Sequence, residues 1–154
     1  MAVGKRMNDL QINQKLKDVS NYLGSFAIDE LDQIKVSLYP SFIVVNLDKR
    51  SSGGSHWIAL AIYQNEIFIC DSLGGIKPSK STPPTIIEFL SPFIKNRNVK
   101  ITRQLQNIYS TTCALFCIVF IKQMSKTNSF DEFIALFTSD CAQNDKLIKF
   151  LSGV

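Results

Sequence analysis

A single histidine, His56, opens one apolar run, and an aspartate, Asp71, closes the next. Between the runs lies Gln64-Asn65. If that pair forms a two-residue turn, Ile58 faces Asp71 and His56 becomes its diagonal neighbour on the same face, roughly 7–8 Å away at the backbone. Cys70 then points the other way. A carboxylate bound to one imidazole nitrogen fixes the tautomer and stabilises the imidazolium. Such a pair serves a nucleophile, and Cys113 is placed to be one. It opens the apolar helical run "CALFCIVF" directly after Ser110-Thr111-Thr112, whose hydroxyls suit a helix N-cap. A helix N-terminus carries about half a positive charge and favours thiolate over thiol. Free N–H groups of the first turn can also hold an oxyanion.

Each of these residues has a plainer role open to it. His56 can be a surface or structural residue at a strand start, and Asp71 before "SLGG" can be a turn residue. Cys141 can be an N-terminal helix residue or a small buried hydrophobe. Cys117, one helical turn after Cys113, raises metal ligation, but one histidine and no Cys-x-x-Cys leave too few ligands for zinc. Cys117 reads as core.

The elements that must position these groups are visible as patterns. Residues 8–23 carry Leu10, Leu16, Val19 and Leu23 at roughly helical spacing, closed by Gly24. "SFIVVNL" (41–47) is a short β-branched strand, and "DKRSSGGS" (48–55) a turn-rich loop. "HWIALAIY" (56–63) and "EIFICD" (66–71) predict a hairpin. "SLGGIKPSKSTPP" (72–84) is a long loop, followed by a helix around 85–95 that Pro92 disturbs. "NVKITRQL" (98–105) predicts a further strand. Three helices follow, near 113–124, 129–138 and 141–151, with Ser129 and Glu132 in a capping-box pattern for the second. The class is α+β: a small mixed β-sheet packed by helices, in one domain spanning 1–154.

At 154 residues the chain can bury a core without staples. The start lacks the apolar core of a signal peptide, and no run reaches the roughly 20 apolar residues of a membrane span. A soluble protein of a reducing compartment is the expectation, with Cys70, Cys113, Cys117 and Cys141 as thiols. Net charge is +4, but Lys77, Lys80, Lys95, Arg97, Lys100 and Arg103 face only Glu88, a local excess of five positive charges. That segment is either a solvated face or a surface for nucleic acid.

Taken in order, "GGSHW", "FICDSLGG" and "QNIYSTTCALFC" resemble the adenovirus maturation protease (adenain) group, cysteine proteases related to the SUMO-specific and ubiquitin-like-protein-specific proteases. In that clan a His-Trp pair starts a strand, an acid ends the next, and a glutamine precedes the nucleophilic cysteine. Here these are His56-Trp57, Asp71, and Gln106 seven residues before Cys113. "YLGSFAIDEL" (22–31) and "FIVVNLDKRSSGGSHWIAL" (42–60) extend the resemblance, which covers about residues 20 to 125. It implies a papain-like cysteine protease fold of the adenain/SUMO-protease type. It further implies Cys113 as nucleophile, His56 as base and then acid, Asp71 as orienting carboxylate, and Gln106 as oxyanion donor with the Cys113 backbone N–H. Trp57 would wall off the imidazole, and Gly54 and Ala114 would support the substrate site. Ala114 departs from the family, which usually has glycine after the nucleophile.

The function so implied is a cysteine endopeptidase that cleaves capsid or core precursors near glycine-containing sites during virion maturation, in a virus, virophage or polinton-like element. It would act in host cytoplasm, viral factory and virion. The chemistry requires no cofactor. The basic segment adds a separate hypothesis, DNA as an activator; a peptide is the other candidate, and the absence of cysteine between Cys70 and Cys113 argues against a disulfide-linked one. The alternatives are a SUMO or ubiquitin-like-modifier deconjugating protease and a non-catalytic binding module.

Overall fold

The computed structural model describes residues 7–52, 56–74 and 97–153. Helix α1 (Asp9–Leu16) leads into strand β1 (Tyr22–Ala27), a 3-10 turn (Ile28–Gln33) and β2 (Ser41–Asn46). Strands β3 (Trp57–Ile62), β4 (Glu66–Cys70) and β5 (Asn98–Ile101) follow, then helices α2 (Cys113–Thr127), α3 (Phe130–Ile134) and α4 (Cys141–Ser152). The strands form one mixed sheet in the order β1-β2-β3-β4-β5, parallel at both outer pairs and antiparallel within. The α+β class expected from the patterning is the class found.

Both faces of this sheet are covered, so β2 and β3 are buried at every position and read as unbroken apolar runs. On one face Trp57, Ala59, Ala61, Phe68 and Cys70 pack with Ile12 and Leu16 of α1, most of α2, and Phe133, Phe137 and Ile148. On the other, Ile58, Leu60, Ile62, Ile67 and Ile69 pack with Ile28 and Leu31 of the 3-10 turn. Helix α2 is apolar all round because it is central, and it buries every residue from Cys113 to Ile121.

The hairpin has the two-residue turn expected at Gln64-Asn65: Tyr63 N–H donates to Glu66 O at 2.8 Å, and Ala59 pairs with Cys70. The expectation for residues 8–23 fails. Residues 8–23 are not a single helix, since α1 ends at Leu16 and Leu23 lies in β1. The buried stripe is Ile12 and Leu16, whereas Leu10 is 72% exposed. Asn21, with φ 62°, turns the chain out of the helix, and Gly24 sits inside β1 at a bulge rather than ending a helix. The expected helix around 85–95 and the loop beyond Gly74 lie outside the described residues, as does Gly54.

Candidate active site

β3 begins one residue after His56 and β4 ends one residue before Asp71, so both side chains leave the pleat at the same end of the sheet. There His56 Nε2 lies 2.6 Å from Asp71 Oδ1. The carboxylate is itself held in place. Its Oδ1 also accepts from Leu73 N–H at 3.0 Å, and the Asp71 backbone exchanges two hydrogen bonds with the Thr102 hydroxyl at the end of β5, at 2.9 and 2.7 Å.

With Nε2 engaged by Asp71, Nδ1 of the ring is left for Cys113, whose thiol hydrogen-bonds His56. Burial works against both charges here. It pulls the imidazole down, but Asp71 and the Cys113 sulfur outweigh it and raise His56 to about 9. Burial likewise pushes the Cys113 thiol up. The imidazole and the backbone N–H groups of Trp57 and Ala114 overcome that, so its pKa lies below the ordinary thiol value. Cys70 and Cys117, fully buried with no imidazole against them, are pushed well up. The geometry favours a thiolate–imidazolium pair at Cys113 and His56 alone among these thiols.

Gln106 is brought to the same end of the sheet and buried at 2% exposure. Its Oε1 accepts from the Ser72 hydroxyl at 2.5 Å, and its Nε2 donates to Ser110 O at 2.9 Å. Ser72 also anchors the backbone here, its carbonyl accepting from Leu105 and Gln106 N–H at 2.8 and 2.9 Å. This close approach requires Gly74: at φ 65° it presses on the backbone of Arg103 and Gln104, and a Cβ there would lie 2.5 Å from Gln104 N.

The loop from Gln106 to Cys113 is held from α4. Asp145, buried, accepts from Thr112 Oγ1 at 2.6 Å, Ser110 Oγ at 3.1 Å and Asn107 N–H at 3.1 Å. Its neighbour Asn144 donates to Leu105 O and Thr138 O. The Thr112 hydroxyl, one of the three cap candidates, therefore makes no cap hydrogen bond to α2. It goes to the stronger, charged acceptor instead, and the first-turn N–H of Ala114 turns to sulfur.

Trp57 packs in the core on the helix side, its indole N–H donating to Met7 O at 3.2 Å. Ala114 is buried in the same cluster. Of the basic segment, Lys77, Lys80 and Lys95 lie outside the described residues. Arg97 donates to Gln64 O and stacks over Tyr39, and Arg103 donates to Gln104, Phe137 and Thr138 carbonyls. Among the described residues no group of three or more His, Cys, Asp or Glu is placed to hold a metal. None of their helices is long and apolar enough to cross a membrane.

Thr102, Ser72, Asn144 and Asp145 were not singled out by sequence. Asn144, Ile148 and Ser152 recur at a spacing of four, so polar residues sharing the stripe of a core isoleucine were the available signal.

No family model and no curated protein matches the chain. Solved structures do match. The ASFV pS273R protease superposes with a TM-score of 0.64 at 15% identity, over 96% of this chain and 66% of that one. The SUMO protease Ulp1 superposes at 0.53 and 15% identity, over 98% and 80%, and the Chlamydia trachomatis effector ChlaDUB1 at 0.51 and 17%, over 92% and 71%. The chain has the fold of SUMO-protease-type cysteine proteases. It spans just under two thirds of the ASFV enzyme's length.

Proposed function

We propose that this protein is a cysteine endopeptidase with Cys113 as nucleophile. The observation that carries it is the meeting of a buried thiol at a helix N-terminus with an imidazole that Asp71 holds through Nε2. The thiolate attacks a peptide carbonyl, and the oxyanion takes the Cys113 backbone N–H and the second amide N–H of Gln106. Among the described residues that N–H has no protein acceptor. His56 hands its proton to the leaving amine, then activates the water that hydrolyses the thioester.

We take the substrate to be a capsid or core precursor cleaved beside glycine. Support comes from the ordered motifs shared with the adenovirus maturation protease group and the superposition on the ASFV protease over nearly the whole chain. Deconjugation of SUMO or a ubiquitin-like modifier is the second reading, favoured by the superpositions on Ulp1 and ChlaDUB1. The described arginines of the basic segment are spent on internal carbonyls and lend no support to DNA as activator.

A Gly-Gly peptide reporter, offered to wild type and Cys113→Ala, tests the proposal. Cleavage by wild type alone is expected, and Gln106→Ala should lower kcat roughly 10²–10³-fold. Labelling of Cys113 only by an electrophile on an intact ubiquitin-like modifier would replace the first substrate class with the second. Equal cleavage by Cys113→Ala would overturn the nucleophile.

A further inference from the structure

An oxyanion donor works only if its N–H is already aimed, and a glutamine amide can turn end for end. Both ends of the Gln106 amide are specified. Ser110 offers a carbonyl, which can only accept, so the amide atom 2.9 Å from it must be nitrogen. The opposite end meets the Ser72 hydroxyl, which donates its one proton to Oε1. Ser72 is 1% exposed, so no water replaces that bond if it is lost. The Ser110 carbonyl is in turn fixed because Asp145 holds the loop at Asn107, Ser110 and Thr112. A carboxylate buried in α4 with hydroxyl and amide donors is costly unless every donor stays in place, which makes the clamp stiff.

We infer that Ser72 and Asp145 are positioning residues for the oxyanion donor: the Ser110 carbonyl sets which way the Gln106 amide faces, Ser72 tethers its oxygen end so that the nitrogen end stays aimed, and Asp145 sets where its loop lies. Both are buried. The inference rests on the role proposed above for Gln106.

Ser72→Ala should lower kcat by roughly 10-fold or more, up to the 10²–10³ that a lost donor costs, with KM unchanged. In the Gln106→Ala background the same change should have no further effect on kcat, because Ser72 acts only through that amide. Alkylation of Cys113 by iodoacetamide passes through no oxyanion, so its rate and pH profile should stay at wild-type values. Asp145→Asn, which keeps one acceptor, should show the same pattern in milder form. Wild-type kcat in Ser72→Ala, full additivity with Gln106→Ala, or a displaced alkylation profile would overturn the inference. A readout independent of turnover is the side-chain 15N resonance of Gln106. One sharp pair of protons is expected in wild type, and broadened or doubled signals in Ser72→Ala. An unchanged pair would overturn the inference even if no peptide is cleaved. Absence of wild-type hydrolysis with the expected resonance change would instead strike the proposed function.

Discussion

His56 and Asp71 lie 15 residues apart and are joined by one hairpin, whereas the loop between Gln106 and Cys113 is held by Asp145, 33 residues beyond Thr112 and 38 beyond Asn107. The first region needs only a two-residue turn and the strand register that follows from it. The second needs α2 seated on the sheet and α4 docked behind it before its hydrogen bonds exist. The His56–Asp71 contact is thus built from one hairpin, and the oxyanion geometry from distant elements. Damage to the two regions should therefore look different in kinetics.

The largest effect is expected from the first region. His56→Ala should lower kcat/KM by roughly 10⁴-fold or more, and should return the alkylation of Cys113 to the pH range of an ordinary thiol. A His56→Ala protein whose thiol still reacts at low pH would mean that the helix N-terminus, not the imidazole, activates the sulfur.

Asp71→Asn should cost roughly 10²–10⁴-fold in kcat and also move the alkaline limb of the profile. In the wild type the imidazolium persists up to about 9. Removing the carboxylate withdraws a stabilising charge from the protonated ring, so it loses its proton at lower pH and activity falls off sooner. A limb left in place would separate Asp71 from the imidazolium.

Where the two regions touch, Gly74→Ala should act on both. A Cβ 2.5 Å from Gln104 N, in a left-handed conformation, predicts a loss of about 1–3 kcal/mol, read by urea denaturation, with kcat lowered as Ser72 shifts. Unchanged stability would show that the turn from Asp71 to Gly74 can move away freely.

The smallest effect is expected at Arg50, half-exposed, which bridges Asp9 and Glu30 at 2.7 Å each. Solvent screens these pairs, so Arg50→Ala should cost at most about 1 kcal/mol and leave kcat unchanged. A large fall in kcat would extend the first region to the loop before His56.

The same contrast explains what could be read from sequence. The hairpin register was legible because Gln64-Asn65 separates two apolar runs, and parity alone then puts His56 beside Asp71. Cys113 was legible as the start of an apolar helix. Thr112 misled because its hydroxyl answers to Asp145, a partner that no local pattern reveals. Residues 17–24 misled for a related reason. Leu23 keeps helical spacing with Leu16, but β1 gains a ladder with β2 that local spacing does not record. Ser72 was read as the start of a long loop, and its bond to Gln106 emerges only when the turn from Asp71 to Gly74 docks against residues 103–106.

Competitive labelling of the four thiols tests the central claim most directly. Native protein would be treated with limiting iodoacetamide at pH 6 and each cysteine quantified by mass spectrometry. Cys141 is the more exposed thiol, half-buried against 3% exposure for Cys113. If exposure governed reactivity, Cys141 would be modified first. The account predicts that Cys113 is modified first, and that His56→Ala removes its advantage. Modification led by Cys141 in the wild type, with Cys113 as inert as Cys70 and Cys117, would contradict it.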